Sequence, residues 1–312
     1  MSGLHETAPR PITEFEEAPA RPRSLSRIGW YAPLSFEIGN RIARYVPRPF
    51  SRTFAVSMGH LGYQFCRERR EALMSNLAVL TSDQATQKKL CRACFVNFLR
   101  MLHDFCDCAA GGVPRLDELI VERRGFEFLE TGRKRGKGTL LLTGHLGAWE
   151  LGGMALAADG FPVSVVTLEE PTPELDAWRQ KYRAKFGIKT ITVGTDKFAF
   201  LEIMQALRRN ELVAMLVDRP YLNSGVQVKF FDQPTLFSAA AARIWQHTDA
   251  TIIPAFVLQL QPGRYGCYAY PPIKMTAEPG PEENSQRVAE VFQAIIREFP
   301  DQWFNFVPIW TR

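Results

Sequence analysis

The sequence has no long hydrophobic run. An uncharged stretch such as TFAVSMGHLGYQFC, Thr53 to Cys66, is too short and too polar to cross a bilayer core of about 30 Å, so no transmembrane helix is expected. The first 26 residues mix proline with charge of both signs and have no apolar centre, which argues against a signal peptide and predicts a disordered tail. No internal repeat is found. No G-x-S-x-G elbow occurs, and the glycines of TGHLGAWELGG do not give G-x-G-x-x-G, so a serine-elbow hydrolase and a nucleotide or S-adenosylmethionine binder both lose their motif. Charge of one sign is not concentrated either. The net charge of +5 comes from dispersed basic residues without interleaved aromatics, which argues against nucleic acid and suits an anionic membrane or an acidic partner.

Cysteine is present but not as a framework. Four of the six lie in CRACFVNFLRMLHDFCDC, where Cys91 and Cys94 have a metal-like spacing. Gln84 to Ala110 contains no glycine or proline, and Leu90, Cys94, Phe98, Met101, Leu102 and Phe105 recur at three- and four-residue steps. That period predicts one buried helix face, in which cysteine acts as a small hydrophobe in a reducing compartment.

What the chain does have is 46% hydrophobic residues over 312 positions, enough for a sizeable core. Residues 27–115 read as a helical segment in which Trp30, Tyr31, Leu34, Phe36, Ile38, Ile42 and Tyr45 accompany Arg27, Arg41, Arg44, Arg48 and Arg52. Such a segment either lies in a lipid headgroup layer or caps the main domain. Residues 116–312 change character. The runs LIVERRG, GTLLLTG, FPVSVVTL, IKTITV and ELVAMLV alternate with helical-period segments such as PELDAWRQKYRAKFG and DKFAFLEIMQALRRN. This alternation predicts an α/β domain with a mostly parallel central sheet flanked by helices. VQVKFF follows, then a helix near PTLFSAAAARIWQH, the strands ATIIPAFVLQL and YGCYAY, and a last helix capped by Asn284 or Ser285.

Within LLLTGHLGAWELGG, His145 is followed five residues later by Glu150. The other histidines, His5, His60, His103 and His247, have Arg10, Phe65, Cys108 and Ile252 at that offset. Inside one helix, five residues would set the two side chains about 140° apart. A strand ending near Thr143, a glycine turn and a helix starting near Ala148 instead put His145 at the strand mouth, with Glu150 in the first turn reaching back. Gly144 and Gly147 permit that turn, and amides at the helix start face a developing oxyanion. Such a pair suits general-base catalysis, the carboxylate fixing the imidazole tautomer.

With these residues in view, the chain resembles the lysophospholipid-type acyltransferases, in particular the bacterial lipid A biosynthesis (late) acyltransferases, whose signature is a histidine, four residues, then Asp or Glu. The resemblance runs from about Arg69 to Trp310, through RREALMSNL, GTLLLTGHLGAWELGG, YRAKFG, LVDRP, VKFFDQPTLFSAAAARIW, DATIIPAFV and PDQWFNFVPIW. It implies an O-acyltransferase moving a fatty acyl group from an acyl-carrier-protein or coenzyme A thioester to a hydroxyl of a membrane glycolipid. His145 would be the base and Glu150 its orienting partner. Arg183, Asp218, Arg219, Gly144, Gly147 and Trp149 make up the implied substrate-binding set. No metal or redox cofactor is implied, and the setting is peripheral, on the cytoplasmic face of the inner membrane. Ala148 replaces a common Asn, while Asp232, Phe237 and Ala240 stand where Gly, Thr and Gly are usual. The ending FNFVPIW is less basic than in lipid A enzymes, which weakens lipid A itself as acceptor. RKRGK, Arg133 to Lys137, is either a dock for an acidic carrier or a solvated loop. A lipid esterase or thioesterase using the same pair, and a non-catalytic lipid-binding protein, are the alternatives.

Overall fold

The computed structural model describes residues 33–170, 172–194, 198–220, 225–278 and 280–310. The expected tail, residues 1–26, and the aromatics Trp30 and Tyr31 lie outside them. Four helices come first: α1 (Pro33–Tyr45), α2 (Arg48–Phe65), α3 (Arg67–Leu77) and α4 (Gln84–Leu119). Asp83 caps α4 by accepting from the Ala85 and Thr86 amides. The helix runs past Ala110, kinks at Gly112 (φ 68°) just before Pro114, and leads directly into the sheet. Cys91, Cys94, Phe95, Met101, Phe105 and Cys108 are buried on its inner side. Burial pushes the Cys91 thiol up to about 12 and that of Cys94 well above its usual value, so these thiols are packing groups.

On α2 the buried positions are Ser51, Ala55, Gly59 and Gly62. Gly59 lets the helix cross α4 closely, since a Cβ there would stand 2.7 Å from the Val96 Cα. Phe50, Phe54, Leu61 and Phe65 are exposed, and at 100° per residue they share an arc of about 60°. An apolar stripe therefore faces outward from α2, with exposed Arg41 and Arg44 on α1.

The α/β part follows as β1 (Ile120–Arg124), α5 (Phe126–Arg135), β2 (Thr139–Thr143), α6 (Trp149–Ala158), β3 (Val163–Leu168), α7 (Pro173–Ala184), β4 (Lys189–Val193), α8 (Ala199–Arg208), β5 (Leu212–Leu216), β6 (Gly225–Phe230), β7 (Gln233–Ser238), α9 (Ala240–Thr248), β8 (Thr251–Gln261), β9 (Arg264–Ala269) and α10 (Pro281–Glu298). Seven strands form one sheet in the order β1-β9-β8-β2-β5-β3-β4, parallel except for the β8–β9 hairpin. Leu140, Leu141 and Leu142 of β2 are buried, as the continuous apolar run requires for a strand covered on both faces. The next strand in sequence, β3, lies beyond β5, so the connection leaving β2 passes over β5.

Two expectations need correction. The helix expected over PTLFSAAAARIWQH begins only at Ala240, because Gln233–Ser238 pair with β6 across a turn in which Phe231 and Asp232 both take positive φ. The last helix starts at Pro281 after Gly280, and the Asn284 side chain instead brackets the Thr276 backbone at 3.0 and 2.7 Å.

Candidate active site

β2 and β5 are adjacent and parallel, with Thr143 opposite Leu216. His145 and Asp218 each lie two residues beyond that last pair, so the register alone brings them to one place. Asp218 grips His145 twice, its Oδ2 accepting from the backbone amide at 3.0 Å and its Oδ1 from ring Nδ1 at 2.9 Å. A carboxylate only accepts, so Nδ1 carries the proton and Nε2 keeps its lone pair. Gly144 leaves room for this grip, since a Cβ there would come within 3.1 Å of the Asp218 Cγ and 2.6 Å of Phe292.

The loop is fastened on its other side as well. The His145 carbonyl accepts from the Phe304 amide at 2.7 Å, the Gly147 amide donates to Gln302 at 3.0 Å, and the Ala148 amide donates to Val257 at 2.7 Å. Gly147 sits at φ 65°, and a Cβ would lie 2.1 Å from the Val257 oxygen, so both conformation and space demand glycine. Gly144 and Gly147 thus shape the turn. The amides of Gly147 and Ala148, just ahead of α6, are committed to backbone carbonyls.

Glu150 does not take the expected place on the imidazole. Its carboxylate accepts from Arg183 Nη2 at 2.7 Å and Nε at 3.3 Å, and Arg179 stands 3.8 Å away. In the first turn of α6, Glu150 meets α7, and the two guanidinium groups there outweigh burial to hold its carboxyl below the usual range. Arg183, expected near the substrate, is buried in this fork and joins α7 to α6. Asp218, expected in the substrate-binding set, is the carboxylate that contacts the ring. Burial opposes its ionisation, but His145 and Arg219 outweigh that and hold it low.

The imidazole side chain is 28% exposed, against 3% for Asp218, so the ring meets solvent and its carboxylate partner does not. Desolvation and the neighbouring Arg219 push the His145 pKa below 6.5, despite the opposing pull of Asp218. Neutral imidazole is the form a general base needs. Arg219 is held by the side-chain oxygen of Asn305, a wholly buried residue. Trp149 packs edge-on to the His145 ring, centroids 5.7 Å apart, and lines an apolar cavity of about 60 Å³ with Gly152, Leu156, Val257 and Cys267. Sequence reasoning missed the role of Gln302 to Asn305, which lie far from His145 in the chain. The only local sign was a polar-aromatic segment too short to be an element. Among the described residues no group of His, Cys, Asp and Glu is arranged to hold a metal ion.

A model of the bacterial lipid A biosynthesis acyltransferase family matches residues 25–312. The chain is also similar to a phosphatidylinositol mannoside acyltransferase of Mycolicibacterium smegmatis, 25% identical over 291 residues that cover 90% of this chain and 92% of the relative. It is similar to one of Mycobacterium tuberculosis (strain H37Rv) at 25% identity over 197 residues, covering 63% and 61%.

Proposed function

Since the chain belongs to the bacterial lipid A biosynthesis acyltransferase family and is an acyltransferase acting in lipid metabolism, we propose that it transfers a fatty acyl group from a thioester to a hydroxyl of a glycosylated membrane lipid, with His145 as general base and Asp218 as the carboxylate that orients it. The observation that carries this reading is the 2.9 Å contact from Nδ1 to Asp218, which leaves Nε2 of the partly exposed ring unprotonated. Nε2 takes the proton of the acceptor hydroxyl as its oxygen bonds to the thioester carbonyl carbon. The carbonyl electrons move to an oxyanion and return as the carbon–sulfur bond breaks. The imidazolium then gives its proton to the leaving thiolate, so ester and thiol form and the base is restored. These steps need no metal or redox cofactor.

The acyl chain enters beside Trp149, where the lining is apolar. The donor is an acyl-carrier-protein or coenzyme A thioester. The relatives' phosphatidylinositol mannoside activity supports a phosphoinositol-linked sugar as acceptor. No helix among the described residues is long and apolar enough to cross a membrane. The apolar stripe of α2 and the exposed arginines of α1 support attachment by lying on the membrane surface.

The test is transfer from a radiolabelled acyl thioester to purified phosphatidylinositol mannoside, with acylated lipid and free fatty acid counted separately. Acylated lipid should dominate, and His145→Ala should lower turnover about 10²–10⁴-fold with the fold unchanged by circular dichroism. Free fatty acid as the main product would make the chain an esterase, and near-normal turnover in the variant would remove His145 as base.

A further inference from the structure

Away from His145, a groove of about 530 Å³ opens between α2 and α4 where the two helices diverge from their close crossing at Gly59 and Val96. Its walls carry Lys88, Lys89, Arg92 and Arg100 from α4 and His60 from α2, with Asp301 as the one carboxylate. Arg92 Nε donates to His60 Nδ1 at 3.1 Å, and Arg100 donates to Asn97 at 3.0 Å. Among the described residues no ion pair engages Lys88, Lys89, Arg92 or Arg100. Burial, then Arg92 and Arg100, push the His60 pKa down, so this histidine stays neutral and serves as an anchor for Arg92. Four cations gathered in one concavity without matching acids repel each other, a cost that an anion would offset.

We propose that this groove binds the phosphodiester headgroup of an anionic phospholipid in the membrane. Size and position both favour a headgroup over an acidic protein surface. The concavity has small-ligand dimensions, whereas a stable protein interface needs roughly 800 Å² on each partner. It also neighbours the lipid-facing stripe of α2, because His60 on the groove wall stands about 100° around the helix from Leu61 on the stripe, so groove and stripe occupy adjacent sides of α2. A lipid whose chains lie near the stripe presents its phosphate to Arg92 and the two lysines. The inference rests on the membrane-facing reading of α2 given above.

The experiment is sedimentation of the full chain with vesicles of phosphatidylcholine alone or with one-fifth phosphatidylinositol. The wild type should bind the anionic vesicles at least about tenfold more tightly. Lys88→Glu/Lys89→Glu should abolish most of that preference and leave binding to neutral vesicles unchanged. A control with the same charge change, Lys134→Glu/Lys137→Glu, should keep the preference. Equal loss in the control would assign the effect to the overall field and overturn the groove. So would an unaltered preference in the α4 variant, or loss of acyl-carrier-protein binding by that variant with its lipid preference intact. Failure of the wild type to bind either vesicle would instead remove the membrane-facing reading, and this inference with it.

Discussion

At the scale of single residues, two carboxylates near His145 have separate work. Asp218 holds the ring and is itself buried, while Glu150 neutralises the buried Arg183 guanidinium on α7. Asp218→Asn should lower kcat/KM by about 10²–10⁴-fold. As the proposed base, His145 works only when neutral, so the acid limb of the pH profile should lie below 6.5, with activity rising as pH increases through it. Asp218 pulls that limb upward, so the Asn variant should move it to still lower pH. Glu150→Gln should leave the limb in place and cost about 3 kcal/mol of stability, since Arg183 would remain buried without its carboxylate. Steady-state rates across pH with urea titrations of both variants decide this. A matching limb shift in the Glu150 variant would return it to the imidazole.

Between elements, the edge of the sheet depends on Glu211, just before β5. It accepts from Ser164 Oγ on β3 at 2.7 Å, Lys189 Nζ on β4 at 2.9 Å and Arg209 Nε after α8 at 2.8 Å. Burial works against the charge, but the bonds from Arg209, Lys189 and Ser164 outweigh it and hold the carboxyl down at about 2. The folded value lies below the unfolded one of 4.5, so the stabilisation is complete above pH 4.5 and disappears as pH falls through the folded value. Glu211→Gln should cost about 2 kcal/mol at pH 7, with the difference shrinking below pH 4.5. Urea unfolding at pH 7 and pH 3 measures both. A gap of the same size at the two pH values would mean that ionisation has no part in it.

For the molecule as a whole, the α2 stripe is the feature that the core leaves over. Phe50 is 69% exposed and Phe65 76%, on a helix whose opposite side packs against α4. Phe54→Asp with Phe65→Asp should reduce vesicle binding at least about tenfold while activity on detergent-dispersed acceptor stays near normal. Lost activity in detergent as well would mean that the stripe supports the fold or the substrate path instead.

What the sequence determined by itself was local: each main strand of the sheet, the helix bearing the cysteines, the glycine turn and the identity of His145 as its histidine. Hydrophobic period and turn chemistry act over a few residues, and they survive without tertiary information. The partner of His145 did not yield to such reasoning. Glu150 was near in sequence, but Asp218, 73 residues away, was near in space because β2 and β5 lie side by side in parallel register. The clamp from Gln302 to Asn305 and the stripe left bare on α2 were likewise settled only by packing. Strand order and helix docking are long-range choices, made by whichever arrangement buries the apolar faces together, and no local pattern encodes them.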